Sequence, residues 1–423
     1  MDGDPAVEPT LDSLSLTFPL PYRVALLVVL AVWGWAVNLH YLGLVAIDVP
    51  ALLRYPPRDS PRQPAPHLST YRLAALVSAA LGLSLVVFWA CSGRDPDLVV
   101  AYDWMPMTYL LLLALALALP IRGAGALSTA AAGRARLVAT LRRVALGGLA
   151  EPHTGRFADI LLADVLTSYS KVLGDLFVVV CMFLTRGGSA TDRPDRACGG
   201  AVVVPLVMAW PFAARLRQCL IEYLRARRAP PGAAGWGGAH LANAAKYASA
   251  FPVILLSALQ RGVEAEADGG GDGSTDKTGA GLYRAWLVAV LVNSLFSFYW
   301  DVAKDWDLTL LSGARGAPGQ AYGLRRKLLL PPGPALYYLV VALDLLLRCT
   351  WSLKLSPHLG RLAGAESSVF FVELLEVFRR WVWIFFRVET EHLRAATAGG
   401  PDEADDMILL GDFQAKYHDE ESS

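Results

Sequence analysis

The sequence predicts an all-α fold, a polytopic transmembrane helical bundle of about nine to ten spans. Three observations predict it. The 423 residues are 54% hydrophobic and only 18% charged, a balance far from that of a soluble domain. Three early blocks, Val24 to Ile47, Leu73 to Gly93 and Trp104 to Ile121, hold no ionised side chain. Six further apolar segments follow, near 160–184, 200–220, 240–260, 281–301, 335–353 and 368–387. A bilayer core of roughly 30 Å needs about 20 apolar helical residues, and the early blocks are near or above that length.

The first block is too long and too aromatic for a cleaved leader, and the acidic stretch Met1 to Thr17 lacks a basic n-region, so it reads as a retained span. After the third block comes a basic, Ala/Gly-rich stretch, Arg122 to Arg156, with Arg134, Arg136, Arg142 and Arg143. It reads as an interfacial helix or a poor span. The later linkers alternate in charge. Residues 221–238 carry Arg225, Arg227 and Arg228, residues 261–280 carry Glu264, Glu266, Asp268, Asp272 and Asp276, and residues 302–334 carry Arg315, Arg325, Arg326 and Lys327. The positive-inside rule puts the first and third in the cytosol and the acidic one outside. The expected organisation is a tail (1–20), front helices with a basic connector (21–150), a second transmembrane domain (151–395) and an acidic, disordered C-terminal tail (396–423) on the cytosolic side. Nine spans would leave the N-terminus outside; a tenth within 123–150 would return it to the cytosol.

Several function classes drop out. Formal net charge is zero, so no basic field invites nucleic acid. No GxxxxGK[ST] loop, no GxGxxG after a strand and no HExxH occurs, so no cofactor, metal or enzymatic activity is expected. Glu389, Glu391 and His392 read as a solvated helix exit, and 268–276 lacks the glutamate of a calcium loop. The five cysteines, Cys91, Cys181, Cys198, Cys219 and Cys349, form no CxxC pair and read as isolated membrane cysteines.

The last six segments carry the chemistry. An ionised group in a span costs at least about 2.5–3.5 kcal/mol, so it faces a partner or water. Asp164, Ser168, Lys171 and Asp175 follow i, i+4, i+7, i+11 and fall on one helical stripe. Asn293, Ser297, Asp301 and Asp305 step by four along another helix; Asp344, Arg348 and Trp351 make a third stripe. Glu376, Arg380 and Arg387 make a fourth, with Glu373 nearby and Arg379 about 100° around the helix. Any single pair, such as Asp344 with Arg348 or Glu376 with Arg380, reads equally well as a tie within one helix. The whole set does not, because apolar residues would pack six spans at far less cost. Clustered cations, Arg348, Arg379, Arg380 and Lys246, favour an oxyanion, and interleaved acids would weaken binding enough for release. The expectation is a hydrated path wide enough for a tetrahedral anion.

The residues also resemble a known family. The run Phe157-Ala-Asp-Ile-Leu-Leu-Ala-Asp164-Val-Leu-Thr-Ser168, then Trp210-Pro211 with Arg215-Leu-Arg-Gln218-Cys219, then Asn243-Ala-Ala-Lys246-Tyr247 with Phe251-Pro252, are similar to EXS-domain motifs. So are Asn293 to Trp306, Leu347-Arg348-Cys-Thr-Trp351 and Glu376-Val-Phe-Arg379-Arg380-Trp381, over about residues 155–395. The resemblance implies inorganic phosphate as substrate, lined by Asp164, Lys246, Tyr247, Asp301, Asp305, Arg348, Trp351, Glu376, Arg379 and Arg380, with Trp351 as a gate or wall. Only about 20 residues precede the first span. The soluble sensor domain of the plasma-membrane exporters is therefore not expected, and the Trp33-Gly-Trp35-Ala-Val-Asn38 start looks like the short Golgi type. That implies return of lumenal phosphate from glycosylation to the cytosol, with the ER or plasma membrane as alternative locations. Implied partners are the lipid bilayer, Golgi glycosyltransferase-sorting proteins and a second copy of the chain in a homodimer. The competing reading is a sorting scaffold that retains ER or Golgi residents through cytosolic loops. A lipid-linked phosphate transferase finds no paired base and nucleophile. The family's cytosolic N-terminus implies the tenth span.

Overall fold

In lipid the backbone must satisfy its own hydrogen bonds, so each apolar segment becomes a helix. The computed structural model describes residues 11–55, 64–119, 126–151, 154–228, 237–268, 274–311, 321–350 and 366–397. Trp351, Arg315, Asp272 and the tail from 398 lie outside them, as do the side chains of Glu264, Glu266, Asp268 and Asp276 and any test of their expected roles. The principal helices are α1 (Leu20–Leu44), α2 (Pro66–Ser92), α3 (Trp104–Ala118), α4 (Ala131–Ala145), α5 (Arg156–Ser168), α6 (Ser170–Leu184) and α7 (Val203–Arg228). They continue with α8 (Gly238–Ala248), α9 (Ala250–Asp268), α10 (Ser274–Trp300), α11 (Pro334–Arg348) and α12 (Glu366–Thr397). No strand is formed among the described residues, and the all-α polytopic expectation holds. Among the described residues, five stretches are long and apolar enough to cross a membrane: Leu20–Leu44, Pro66–Ser92, Pro96–Ala118, Gly238–Val263 and Gly279–Asp305. The pair α5 and α6, bent by 65°, makes a sixth.

Contacts define two ends of the bundle. At one end Leu20, Met182, Ala190 and Val204 pack together, and Arg23 meets Glu366. At the other, Leu42, Val49, Phe157, Trp306, Tyr337, Phe386 and Ala395 share a cluster. The second end also gathers Arg136, Arg143, Arg225 and Arg325, which bond to loop carbonyls or to carboxylates there. The positive-inside rule makes that end cytosolic.

Three expectations change. Helix α4 does not cross. Its Arg134 reaches the carbonyl of Ala116 (2.6 Å) and its Arg136 those of Leu53 and Thr154 (both 3.2 Å), which fixes its start on the cytosolic side; near its other end Arg143 pairs with Asp159 (2.7 Å) in the first turn of α5, which leaves from that same side. The described N-terminal residues, with Ser15 bonded to Arg23, sit at the opposite end, and no tenth span is supplied by 126–151. Next, Cys181 and Cys198 are not isolated: they form a disulfide across 17 residues at the Leu20 end. Disulfides persist in oxidising compartments, which agrees with that end being lumenal or extracellular. Their wide spacing resembles no motif, so only the folding back of 185–202 reveals the pair.

Finally, the Asp164 to Asp175 stripe is cut in two. The chain breaks at Tyr169, and the bend carries Asp175 and Lys171 away from Asp164 toward the Arg196 loop. A related break at Ser249 separates α8 from α9; the Ser249 hydroxyl donates to the carbonyl of Lys246 (2.7 Å) and lies 2.9 Å from Asn293 Oδ1. Pro252 falls in the first turn of α9, where a missing N–H costs little.

The packing of α1 on α12 explains the Trp33-Gly-Trp35 start. A Cβ on Gly34 would stand 2.7 Å from Trp381 Cδ1, so only glycine admits the indole. The Trp381 indole donates to the Gly34 carbonyl (3.0 Å), and Asn38 donates to the Trp381 carbonyl (3.4 Å).

Candidate functional site

The breaks and the short helix α11 bring polar and charged residues from six helices together. Asp164 and Ser168 come from α5, Arg215 from α7, Lys246 and Tyr247 from α8. Asp301 and Asp305 lie in the turn that follows α10, Asp344 and Arg348 are in the last turns of α11, and Glu376, Arg379 and Arg380 come from the middle of α12.

Asp301 to Asp305 is a π-helical turn, not a continuation of the α period. The wider turn rotates Asp305 off the four-step stripe that the sequence suggested. Asp301 stays among Arg348 and Arg379, while Asp305 lies 4.0 Å from Arg387. Such turns recur at functional sites.

Two networks share the space. In the first, Asp164 accepts from Arg215 Nε (2.8 Å) and from the Tyr247 hydroxyl. Arg215 is held over the Tyr247 ring and also donates to Gln218 (3.3 Å). In the second, Arg348 pairs with Asp301 and with Asp344 (3.0 Å), and Arg379 Nη1 bridges the same two carboxylates at 3.3 and 3.0 Å. Glu376 takes Arg379 in a two-pronged bond, 2.9 and 2.6 Å. Of the two readings the sequence left open for Glu376 and Arg380, their tie within one helix is not the one formed: Glu376 pairs with Arg379. One step of 100° turns Arg380 to the opposite side of the cluster, toward α5.

There Arg380 donates to Ser168 Oγ (2.7 Å) and to Thr167 Oγ1 (3.5 Å), with its guanidinium 4.5 Å above Trp383. Lys246 Nζ rests 4.2 Å from the Tyr247 ring centroid and 5.5 Å from that of Trp300. Among the described residues neither Arg380 nor Lys246 forms an ion pair, although both are more than nine-tenths buried. Both lie within Coulomb range of Asp164 and Asp301. A cation held by rings and hydroxyls keeps donor capacity that a carboxylate would otherwise consume.

Among the described residues, the void beside the Arg379 network measures about 10 Å³, not the wide aqueous hole expected, and is lined by Trp306, Asp344, Arg379 and Trp383 among others. That is room for about one water, not a tetrahedral anion. The reason is charge balance: acids and bases from facing helices close on one another. The indole N–H groups of Trp306 and Trp383, at the same void, have no acceptor among the described residues. A roomier cleft of about 300 Å³, lined by Leu39, Asp48 and His67, lies elsewhere and holds none of these cations.

Nine of the ten expected site residues thus converge, and the tenth, Trp351, is outside the described residues. Sequence reasoning left out Arg215, Thr167, Trp383 and Trp300. Arg215 was legible, since it follows Pro211 by one turn within a quoted motif. The two rings were not, because a tryptophan in a span is more often lipid-facing or core.

A bundle of apolar helices with an ionisable, mutually paired interior defines a polytopic membrane protein whose buried charges are built in, not incidental. The chain belongs to the EXS family, whose model matches residues 18–393 and so takes in the front helices as well as the motif-bearing part. It is similar to Protein ERD1 homolog 1 of Schizosaccharomyces pombe, 29% identical over 88% of this chain and 91% of that one. It is 32% identical to Protein ERD1 of Kluyveromyces lactis over 60% of this chain and 63% of the relative. Solute carrier family 53 member 1 of Mus musculus is 30% identical over 61% of this chain, but only 37% of that longer relative is matched.

Proposed function

We propose that the protein is an inorganic phosphate transporter of the Golgi membrane that returns lumenal phosphate to the cytosol. The observation that carries the reading is the pair Arg380 and Lys246, two buried cations that form no ion pair among the described residues, facing two networks in which every carboxylate is held by arginine. Arginine's planar fork and the Ser168 and Thr167 hydroxyls present the donors a tetrahedral oxyanion needs. Arg348, Arg379 and Arg215 would be released one at a time as the anion displaces a carboxylate, keeping the site weak enough to empty. Trp351 would form a wall of the same path, and Asp164, Tyr247, Asp301, Asp305 and Glu376 would hold the cations in place.

Kinship with a solute carrier and with the ERD1 proteins supports both the transport and the secretory-pathway parts of the reading. The family motifs cited above supply phosphate as the substrate. Support for glycosylation and for retention of ER and Golgi residents would follow indirectly, through phosphate clearance. A homodimer and contacts with sorting proteins belong to the same proposal.

The test is flux of labelled phosphate in vesicles reconstituted from purified protein, with a defined gradient. Arg380→Gln and Lys246→Gln should each lower flux about 10- to 100-fold, the loss of one charged hydrogen-bonding partner of the anion. Both variants should elute as folded protein. Normal phosphate flux in either folded variant contradicts the assignment, and no flux in the wild type contradicts transport itself.

A further inference from the structure

A second cluster lies nearer the disulfide end of α12. Arg196, in the loop closed by Cys181–Cys198, grips Glu366 with two bonds (2.6 and 3.1 Å), and its Nε stands 3.8 Å from Asp175. Arg23 of α1 reaches the same Glu366 (3.1 Å) and is further tied to Ser15 and the Phe18 carbonyl. Two arginines are thereby committed to Glu366. About two turns further along α12 sits Glu373, only 5% exposed. Its Oε1 has no hydrogen-bond partner, and no ion pair reaches its carboxyl among the described residues. The charged groups around it are Asp175 and Lys171 of α6, Arg196 of the loop, and Glu366 and Glu376 of its own helix. Lys171 is exposed and Asp175 is buried.

A lone carboxylate beside a second buried acid is not stable in such a place. It needs a cation, and the described residues hold no group of three ligands fit for a metal. A proton is the cation that fits. Glu373 is also i−7 to Arg380, so it shares the face of α12 that carries the anion site, about 10 Å nearer the disulfide end.

We propose that Glu373 is a proton-binding site on the anion path. It takes one proton from the lumenal side to become a neutral carboxylic acid, and gives it back unchanged in the return step. Ionised, Glu373 and Asp175 repel an approaching phosphate; protonated, Glu373 lets it pass and offers it an O–H donor. The inference rests on the transport reading for its purpose, but not for its chemistry.

Infrared difference spectra of the purified protein, taken on stepping pH, test the chemistry alone. A carboxylic C=O band should appear as pH falls in the wild type and in Glu373→Asp, and be missing in Glu373→Gln. Asp175→Asn should displace the pH at which the band appears. In vesicles, lowering pH on the Glu366 side should raise wild-type phosphate flux severalfold more than Glu373→Gln flux; the substrate's own ionisation affects both alike and cancels. A band that survives Glu373→Gln, a band whose pH ignores Asp175→Asn, or a Glu373→Gln flux profile matching the wild type overturns the proposal. If wild-type vesicles move no phosphate, the transport reading fails and the spectra still decide the proton site.

Discussion

Arg379 and Arg380 are adjacent, both buried and chemically identical, yet the structure gives them different partners. Replacing Arg379 with alanine strips the bidentate partner from Glu376 and one of two arginines from Asp301 and Asp344. Breaking a buried pair from one side costs about 3–5 kcal/mol, because the remaining charge is stranded. Replacing Arg380 strands no carboxylate. It forfeits bonds to Ser168 and Thr167 and the stack on Trp383, about 1–2 kcal/mol together, and removes an unpaired buried cation. Thermal unfolding of both variants in detergent, followed by tryptophan fluorescence, should rank Arg379→Ala as clearly the less stable. Phosphate then separates them again. At a concentration of about 100 times its Kd, phosphate should stabilise the wild type by about 2.7 kcal/mol, and Arg380→Ala should lose that protection. Equal destabilisation of the two variants, with phosphate still protecting Arg380→Ala, would refute the division of roles.

Gly34→Val should destabilise the packing of α1 on α12 by about 1–3 kcal/mol, read as a lower unfolding temperature, because its side chain meets the Trp381 indole. Cys181→Ser frees the 17-residue loop and should cost about 3 kcal/mol by the chain-entropy account; Cys198 should then react with a membrane-impermeant thiol reagent added on the side opposite the 221–238 linker, and labelling from the other side would invert the topology. Tyr247→Phe leaves Asp164 with Arg215 and should cost about 1 kcal/mol in stability, measured by the same unfolding assay, while Arg215→Ala should cost about 3–5 kcal/mol.

Composition and spacing alone determined that the chain is a helical membrane bundle, that its front spans are apolar and that its rear spans are charged. Those features are local: twenty apolar residues must be helical in lipid, and a charge at depth must meet a partner, whatever the rest of the chain does. Asp344 with Arg348 was legible for the same reason, since one turn of one helix sets their separation. What sequence spacing missed depends on where helices break and which way they face. The stripe from Asp164 to Asp175 assumed one continuous helix, and a 65° bend at Tyr169 sends its halves to the cluster around Arg380 and to the cluster around Arg196. The choice of Glu376 between Arg379 and Arg380 is a matter of 100° of helix rotation, settled by where Ser168, Asp301 and Asp344 stand on other helices. The disulfide and the return of α4 to its own side follow from chain reversals that no periodicity records. Tertiary structure decided partners, because a buried charge binds whichever opposite group packing brings within reach, and packing is a property of all twelve helices at once.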